Sequence, residues 1–467
     1  MHGQKLTEGN IPRQLWSLAW PMMLSMFFYT LYNLVDAFWV AKLSPEAIAA
    51  VSISQITLFA MISLSMGIAV GSAVLMGMSI GAGKSEEAER VLGQGYALSI
   101  IAAAIFTTIA YVGREYLLVL SGAYGDIYPL AVPYFTITAL GSVFMFLLMS
   151  TSTAFNAQGD NFTPTKLFAI STAANVILDP IFIFGYGAFP ALGIAGAAYA
   201  TLLSQAVFLV LALRVLMSDR MMIKLHIKNL YLKWDSVKEV FRIGIPASLT
   251  QTLNPLGFSA LMFIVTAAFF EAGAAAFSIG FRIEFFAFIP AIGFGFGAMS
   301  LMGQNIGARN FDRVREIFKT VVLFAAGTAG IFSVLVFILA PFIVQVFTTD
   351  ALVTEYTLQY FYIVPFGYVF FAVSFVEASV FQGLGRSWPG FWITLGRIGA
   401  AIAVAYVAVF VLEMPLWSVW CALVFGSVAA SIWGYWWVRR ALTHLDTLPV
   451  PDEHPASAEE SMPSPVA

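Results

Sequence analysis

Two aspartates lie inside long apolar stretches of this sequence, where an unpaired carboxylate is costly. Asn33 precedes Asp36 by three residues, and Asn175 precedes Asp179 by four. Residues three or four apart share one face of a helix, so each acid is predicted to have an amide beside it. Ionisable residues within such apolar segments indicate a functional site.

The two acids together predict a site for a small cation. Oxygens from two carboxylates, an amide and a nearby hydroxyl are the ligands that a hard cation prefers. Two close carboxylates in an apolar setting can instead share a proton. H⁺ and Na⁺ stay equal alternatives, with Asp36 and Asp179 as the metal ligands if the ion is Na⁺, and no other cofactor is expected. The simpler alternative is that each acid only hydrogen-bonds a neighbouring helix.

A proline lies in each of the segments that carry an acid. Pro180 directly follows Asp179, and Pro21 precedes Asp36 in the first apolar stretch. Proline removes one backbone hydrogen bond from a helix, so each could act as a hinge. Plain packing is an equal alternative, because proline is common in membrane helices.

The second half of the chain also has charged residues in apolar segments. Arg282 and Glu284 are two apart, so they cannot share a helix face, and Arg282 is expected near the outer end of its segment. Glu284 and Glu377 are candidates for a contribution of the second half, with packing as the alternative. Arg397 is expected to neutralise one of these acids.

The composition is that of a polytopic helical membrane protein. The chain is 60% hydrophobic and 10% charged, whereas a soluble domain has about 25% charged residues. The 4 His residues fall in the tails or in a loop, which argues against a His-based metal site. The single cysteine, Cys421, excludes an internal disulfide. No acid cluster typical of a membrane-embedded enzyme is present, so neither an enzyme activity nor a nucleic-acid partner is expected.

Twelve apolar segments are long enough to cross a bilayer, which takes about 20 helical residues. They cover roughly 14–41, 47–79, 92–118, 127–155, 163–187, 192–216, 238–270, 274–304, 315–347, 353–382, 389–412 and 415–438. The predicted fold is an all-α membrane protein with twelve transmembrane helices.

The sequence repeats itself at an offset of 226 residues. The segment 75–77 (Leu-Met-Gly) falls on 301–303, and 80–82 (Ile-Gly-Ala) falls on 306–308. Two six-helix bundles related by an internal repeat are therefore predicted, an arrangement typical of transporters whose site lies between two lobes. The repeat is not kept at Asp36 and Asp179, which fall on Met262 and Ala405.

The distribution of positive charge predicts the topology. Most of the 23 Lys and Arg residues lie in the N-terminal segment and in every second connection. The positive-inside rule then places both termini in the cytoplasm, in a multi-pass protein of the cell (inner) membrane. The predicted parts are a cytoplasmic N-terminus (1–13), an N-lobe (14–216), a cytoplasmic linker (217–237), a C-lobe (238–440) and a disordered cytoplasmic tail (441–467).

The motifs of the first half resemble those of multidrug and toxic compound extrusion (MATE) transporters. The resemblance lies in Pro21 and Asp36 of the first segment, in the Asn175-x-x-x-Asp179-Pro180 motif of the fifth, and in the sixth segment, which opens on Gly193-x-x-Gly196-Ala197-Ala198-x-Ala200-Thr201. It covers about residues 10–440 and is closest to the DinF-like branch.

This resemblance implies the residues of a site. Asp36, Asn175, Asp179 and Thr201 would form the cation-coupling site of the N-lobe. Tyr32 and Tyr134, together with Asn33, would line the substrate cavity.

The resemblance also implies a function. It is multidrug efflux of organic cations and amphipathic compounds in exchange for inward H⁺ or Na⁺, by alternating access of two lobes. The protein is expected to be a monomer within the lipid bilayer. The alternative is a lipid-linked oligosaccharide flippase of the wider superfamily. Such a protein needs a cavity lined with Arg and Lys, and only Arg282 and Arg397 lie inside apolar segments here.

Overall fold

The computed structural model describes residues 5–187, 189–219 and 221–445, and this part of the chain is helical without strands. The helices are α1 (Ile11–Ala41), α2 (Pro45–Gly81), α3 (Ser85–Leu120), α4 (Ile127–Leu140), α5 (Ser142–Ala157), α6 (Phe162–Phe184), α7 (Ile194–Leu216), α8 (Trp234–Gly307), α9 (Phe311–Phe347), α10 (Ala351–Ile363), α11 (Pro365–Gly383), α12 (Ser387–Tyr406) and α13 (Trp417–Thr443). A short 3₁₀ turn (Ile227–Asn229) lies in the linker, and a π turn (Val407–Val411) extends α12.

These helices provide twelve spans, as the sequence predicts. Ten helices of the described chain are long and apolar enough to cross a membrane. One of them, α8, is broken at Phe270 (φ 52°, ψ −150°) and therefore supplies two spans. The pair α4 and α5, bent by 48°, adds one more span. Each half of the chain thus has six spans, which confirms the predicted fold class.

The internal repeat is visible in the shape of the helices. The fourth span of the first half is interrupted at Gly141, between α4 and α5. The fourth span of the second half is interrupted at Val364, between α10 and α11. Corresponding spans are therefore broken at nearly corresponding positions in the two halves.

Side chains that accept hydrogen bonds from free backbone N–H groups fix the starts of several helices. The Asn10 side chain accepts from the N–H of Arg13 at 3.0 Å at the start of α1. Ser44 accepts from Ala47 at 3.1 Å at the start of α2, where Pro45 occupies the first turn. Such caps satisfy donors that have no partner within the helix.

Glycines allow the two lobes to pack closely through α2 and α8. A Cβ atom on Gly67 would lie 2.7 Å from the carbonyl oxygen of Gly244. A Cβ atom on Gly81 would overlap the carbonyl oxygen of Gln304, and one on Gly307 would overlap that of Met78. Only a residue without a side chain lets the backbones approach to this distance.

The contacts of Gly81 and Gly307 lie at the end of α2 and of α8 that is followed by a short turn with a basic residue, which leads to α3 and to α9. From Gly67 to Val74, every residue of α2 is buried, whereas Gln55 and Ile56 in the other half of α2 are exposed. The second part of α8 shows the same contrast, because residues 297–307 are all buried and Arg282 is exposed. The lobes are therefore closed against each other at the end with the basic turns.

The N-terminal segment completes this closure. Leu6 is fully buried, and its N–H donates to Oε1 of Gln304 at 2.9 Å. Asn305 Nδ2 donates to the carbonyl oxygen of Leu6 at 3.1 Å, and Gln304 Nε2 donates to that of Ala157 at 2.8 Å. The α8 helix of the second half is thus tied to both the N-terminus and α5 of the first half.

The predicted tail falls mostly outside the described residues. The α13 helix continues to Thr443, and the structure describes the chain up to Leu445. The prediction of disorder for 446–467 therefore concerns residues that the structure does not describe, as do residues 1–4 of the predicted cytoplasmic N-terminus.

Candidate functional site

The two aspartates of the first half lie on adjacent helices and face one another. Asp36 is in α1 and Asp179 is in α6, and these helices pack side by side. Asp179 is fully buried and Asp36 is 5% exposed. The two carboxyl groups are close enough to interact electrostatically. The structure therefore brings together the acids that the sequence singles out.

Several buried oxygens of this pair lack a hydrogen-bond donor. Asn175 Nδ2 donates to Oδ1 of Asp179 at 3.0 Å, as the spacing of four residues predicts. The remaining acceptors, Oδ1 of Asp36, Oδ2 of Asp179 and Oδ1 of Asn175, are buried without a partner in the described chain. A buried acceptor without a donor is unfavourable. A bound proton or a Na⁺ ion would satisfy these oxygens, so the residues fit either ion.

Two tyrosines and a threonine lie at the same site. The Tyr32 hydroxyl is buried, faces Thr201 of α7 and interacts electrostatically with both aspartates. Tyr134 of α4 is 5% exposed and also lies within electrostatic range of both acids. The site is therefore walled by hydroxyl groups from three different helices.

Asn33 has a different environment from the one that its spacing suggests. It is half-buried one turn before Asp36, and its Nδ2 donates to the carbonyl oxygen of Tyr29 at 2.7 Å. Its amide is thus bound to its own helix rather than to the carboxylate, and its predicted place in the substrate cavity stays a prediction.

Sequence reasoning missed two polar residues at this site. The Thr172 hydroxyl is buried without a partner on α6, three residues before Asn175 and on the same face. The same spacing rule that pointed to Asn175 could have found it. Gln55 of α2 lies beside the Tyr134 hydroxyl. The sequence around Gln55 has no pattern that indicates this position, because only the packing of α2 against α4 brings its side chain there.

The predicted hinge prolines lie on the same two helices. Pro21 is buried in α1, and its carbonyl oxygen accepts from the Thr165 hydroxyl of α6 at 2.8 Å. Ser25 and Thr165 are joined by a further hydrogen bond of 2.7 Å. Pro180 lies next to Asp179 near the end of α6. Both prolines thus lie on the helices that hold the acids, and their role as hinges stays a prediction.

The charged residues of the second half do not converge on one site. Glu284 of α8 accepts a hydrogen bond from the Tyr360 hydroxyl of α10. Glu377 of α11 is fully buried, and neither of its carboxyl oxygens has a partner in the described chain. Gly434 of α13 packs directly against this carboxyl. Arg282 is exposed, in agreement with a position near the end of its span.

The expectation that Arg397 neutralises one of these acids stays a prediction, because its direct contacts are with uncharged groups. Its Nη2 donates to Oδ1 of Asn254 at 2.6 Å, and its guanidinium lies 4.6 Å from the ring centre of Phe371. Glu284 is within electrostatic range, but no ion pair joins the two residues within the described chain. An amide and an aromatic face bind the guanidinium because they lie on the helices that pack directly against α12.

Arg397 contributes to a small cavity at the interface of the lobes. The cavity has a volume of about 30 Å³ and lies between α2 of the first half and α8, α11 and α12 of the second. Its polar lining includes Thr250, Gln251, Asn254, Gln382 and Arg397. It is separate from the pair of aspartates, because no residue of that pair lines it.

A twelve-span helical fold with two repeated lobes, one of which buries a pair of carboxylates, defines a membrane transporter. The chain belongs to the MatE family, whose pattern matches residues 21–181 and 246–407. The two matched segments fall in the two halves of the chain. The protein is accordingly a multi-pass membrane transporter and not an enzyme.

Curated relatives are similar along nearly the whole chain. "Probable multidrug resistance protein YoeA" of Bacillus subtilis is 26% identical over 452 residues, which cover 95% of this chain and 97% of the relative. "FAD transporter" of Shewanella oneidensis is 27% identical over 404 residues, with 85% and 87% covered.

Solved structures have the same fold. One described as MATE in the straight conformation has a TM-score of 0.89 and 26% identity, and the match covers 96% of this chain and 100% of that one. One described as MATE in the bent conformation has a TM-score of 0.88 and 26% identity, with 95% and 98% covered.

Proposed function

We propose that this transporter is a secondary active multidrug efflux antiporter. It exports organic cations and other amphipathic compounds in exchange for inward H⁺ or Na⁺. The observation that carries the proposal is the buried pair Asp36 and Asp179, whose free acceptor oxygens fit a small cation. The name of the Bacillus relative, a multidrug resistance protein, supports this substrate class.

The geometry suggests how an ion would change the shape of the N-lobe. With both acids charged, the mutual repulsion of Asp36 and Asp179 acts between α1 and α6. A bound proton or Na⁺ removes this repulsion and satisfies the free oxygens. Pro21 and Pro180 lack one backbone hydrogen bond each, so we infer that the helices bend at these residues. Each ionic state then favours a different helix shape, and the ion gradient sets the direction of the cycle.

The substrate is proposed to enter the N-lobe beside the same acids. Tyr32 and Tyr134 place their hydroxyl groups within electrostatic range of both carboxylates, and their rings lie beside them. A flat organic cation could bind there through stacking and charge, and protonation of the acids would weaken its binding. Competition between substrate and ion for one charged pair would couple their movements.

Alternating access requires the contacts between the lobes to break. In the described structure, the lobes are closed against each other at the end that contains Gly81, Gln304 and Leu6. We infer that this end faces the cytoplasm, because the turns with basic residues lie there. The structure then corresponds to a state that is closed to the cytoplasm. Opening of the cytoplasmic end would require Gln304 to release both Leu6 and Ala157.

Dye efflux from liposomes that contain the purified protein tests the proposal. A pH gradient and a Na⁺ gradient are imposed separately on the wild type, Asp36→Asn and Asp179→Asn. Asp126→Asn is the matched control, because Asp126 is an exposed carboxylate of the same lobe whose side chain makes no capping hydrogen bond. The FAD transporter among the relatives is a reason to include FAD among the tested compounds.

One gradient is expected to drive efflux in the wild type and in Asp126→Asn but not in the two site variants. Full activity of either site variant would contradict the proposed site. Transport by neither gradient, from a protein shown to be folded, would contradict the antiporter and favour the lipid-linked oligosaccharide flippase.

A further inference from the structure

A cavity of about 370 Å³ lies at the end of the C-lobe, far from the paired aspartates. The turn between α11 and α12 contributes Arg386 and Pro389, and the last turns of α13 contribute Trp437, Arg440 and His444. The described lining contains no Asp or Glu. Its volume is within the range of about 300–1,000 Å³ that is usual for small-ligand pockets.

Aromatic residues form the inner wall of this cavity. The Phe381 ring meets Trp437 edge-on, with ring centres 5.7 Å apart, and Trp433 stacks on Trp437 at 5.3 Å. Four of the 11 tryptophans of the chain line the cavity or neighbour a lining residue: Trp437 lines it, Trp433 stacks on Trp437, Trp436 contacts Arg440, and Trp388 directly precedes Pro389. Trp388 and Trp436 are 46% and 55% exposed. Because tryptophan is enriched where membrane meets water, this cluster places the cavity at the depth of the lipid headgroups.

Two guanidinium groups of the cavity are available for an anion. Neither Arg386 nor Arg440 forms an ion pair with a carboxylate of the described chain. The Arg440 guanidinium lies 5.6 Å from the ring centre of Trp436, an exposed side chain. The guanidinium group forms paired hydrogen bonds with phosphate oxygens, which makes arginine well suited to phosphate binding.

Of two adjacent arginines on α13, only one lines the cavity. Arg439 lies over Tyr435 at 6.0 Å and does not line the cavity, whereas Arg440 does. The two residues have the same charge and the same helix, and both are exposed. If positive charge were only attracted in general to the membrane surface, both arginines would contribute to lipid binding. In a defined site, only Arg440 would contribute.

We propose that this cavity binds the headgroup of one anionic phospholipid. Arg386 and Arg440 bind its phosphate, and its acyl chains lie along the exposed tryptophans of α13. Basic pockets between helices on the cytoplasmic side are suited to such headgroups. The site is independent of the proposed coupling ion and of the exported substrate.

Native mass spectrometry of the purified full chain with phosphatidylglycerol or phosphatidylcholine tests the site. The wild type is expected to retain one phosphatidylglycerol in preference to phosphatidylcholine. The double variant Arg386→Gln/Arg440→Gln is expected to bind it about thirtyfold more weakly, since each of the two basic residues near the surface contributes on the order of 1 kcal/mol. Arg439→Gln, the matched control, should change the affinity by less than about twofold.

Equal loss in Arg439→Gln and the double variant would overturn the proposal, because it would indicate attraction by surface charge alone. So would equal retention of the two lipids by the wild type. Addition of inorganic phosphate at millimolar concentration tests whether the cavity binds a soluble phosphate anion instead of a lipid headgroup. Its failure to displace the lipid supports a lipid site, and its displacement of the lipid would contradict one. Thermal unfolding of each variant confirms that it is folded before its lipid binding is compared with that of the wild type.

Discussion

The two lobes have the same arrangement of helices but a different chemistry in their interiors. In the N-lobe, two carboxylates face each other from α1 and α6 and keep free acceptor oxygens. In the C-lobe, the residues at the corresponding positions are Met262 and the buried Ala405. The repeated scaffold therefore holds the proposed cation site in one lobe and only apolar packing at the same place in the other.

The charges of the C-lobe occupy positions that are uncharged in the N-lobe. At the offset of 226 residues, Glu377 corresponds to Thr151, and Arg397 corresponds to Ser171. Thr151 is hydrogen-bonded to the Tyr96 hydroxyl, and the Ser171 hydroxyl donates to the carbonyl oxygen of Ser204 at 2.7 Å. The C-lobe charges are thus substitutions at helix contacts and not a second copy of the pair. We infer that ion binding is confined to the N-lobe.

Removal of either acid of the N-lobe pair is expected to have the largest effect. Asp36→Asn and Asp179→Asn should each abolish ion-driven efflux, because one remaining carboxylate cannot reproduce the coupled pair. The double variant should be no worse than either single one, since residues that act as a unit are strongly non-additive. Dye efflux from liposomes measures all three. Partial activity in each single variant with none in the double variant would show that the acids act separately.

A substitution that wedges the closed end is expected to have the next largest effect. Gly81→Ala places a methyl group against the carbonyl oxygen of Gln304, so the closed end of the lobes should open. Distances between spin labels on the two lobes should lengthen at that end, and efflux should fall severalfold. Gly77→Ala on the same helix is the matched control, because its Cβ atom would lie 3.9 Å from the nearest atom of the opposite lobe. Equal behaviour of the two variants would show that this contact does not control closure.

Loss of the lone C-lobe acid is expected to have a milder effect. Glu377 has no hydrogen-bond partner in the described chain, so Glu377→Gln preserves the packing against Gly434 and removes only the ionisable group. Efflux should remain within about threefold of the wild type, less than about 1 kcal/mol in barrier height. Inactivity as complete as that of Asp36→Asn would place at least part of the coupling site in the C-lobe.

Arg397, which lines the cavity at the interface of the lobes, is expected to affect stability more than coupling. Arg397→Gln removes the charged hydrogen bond to Asn254 and the stacking on Phe371, a loss of about 1.5–3 kcal/mol. Thermal unfolding in detergent should show the loss, with the choice of coupling ion unchanged. Arg282→Gln, at an exposed position of the same lobe, should cost less than about 0.5 kcal/mol. A change of coupling ion in Arg397→Gln would contradict this structural role.

The fold and the paired acids could be predicted because both depend on local patterns. Segment length gave the twelve spans, and the spacing of Asn175 and Asp179 gave a hydrogen bond that the structure contains. The partners of Arg397 could not be predicted, because they depend on how α8, α11 and α12 pack around it. The same holds for Gln55 beside Tyr134, and for the N-terminal segment, where the burial of Leu6 depends on a contact almost 300 residues away.

Ion binding by the purified protein tests the asymmetry of the lobes most directly. Uptake of radioactive sodium, and proton release into a weakly buffered solution, are measured for the wild type, Asp36→Asn and Glu377→Gln. The account predicts that the wild type and Glu377→Gln bind the same ion with the same stoichiometry and that Asp36→Asn binds none. Undiminished binding by Asp36→Asn, or its loss in Glu377→Gln, would contradict the conclusion that the N-lobe pair holds the coupling ion.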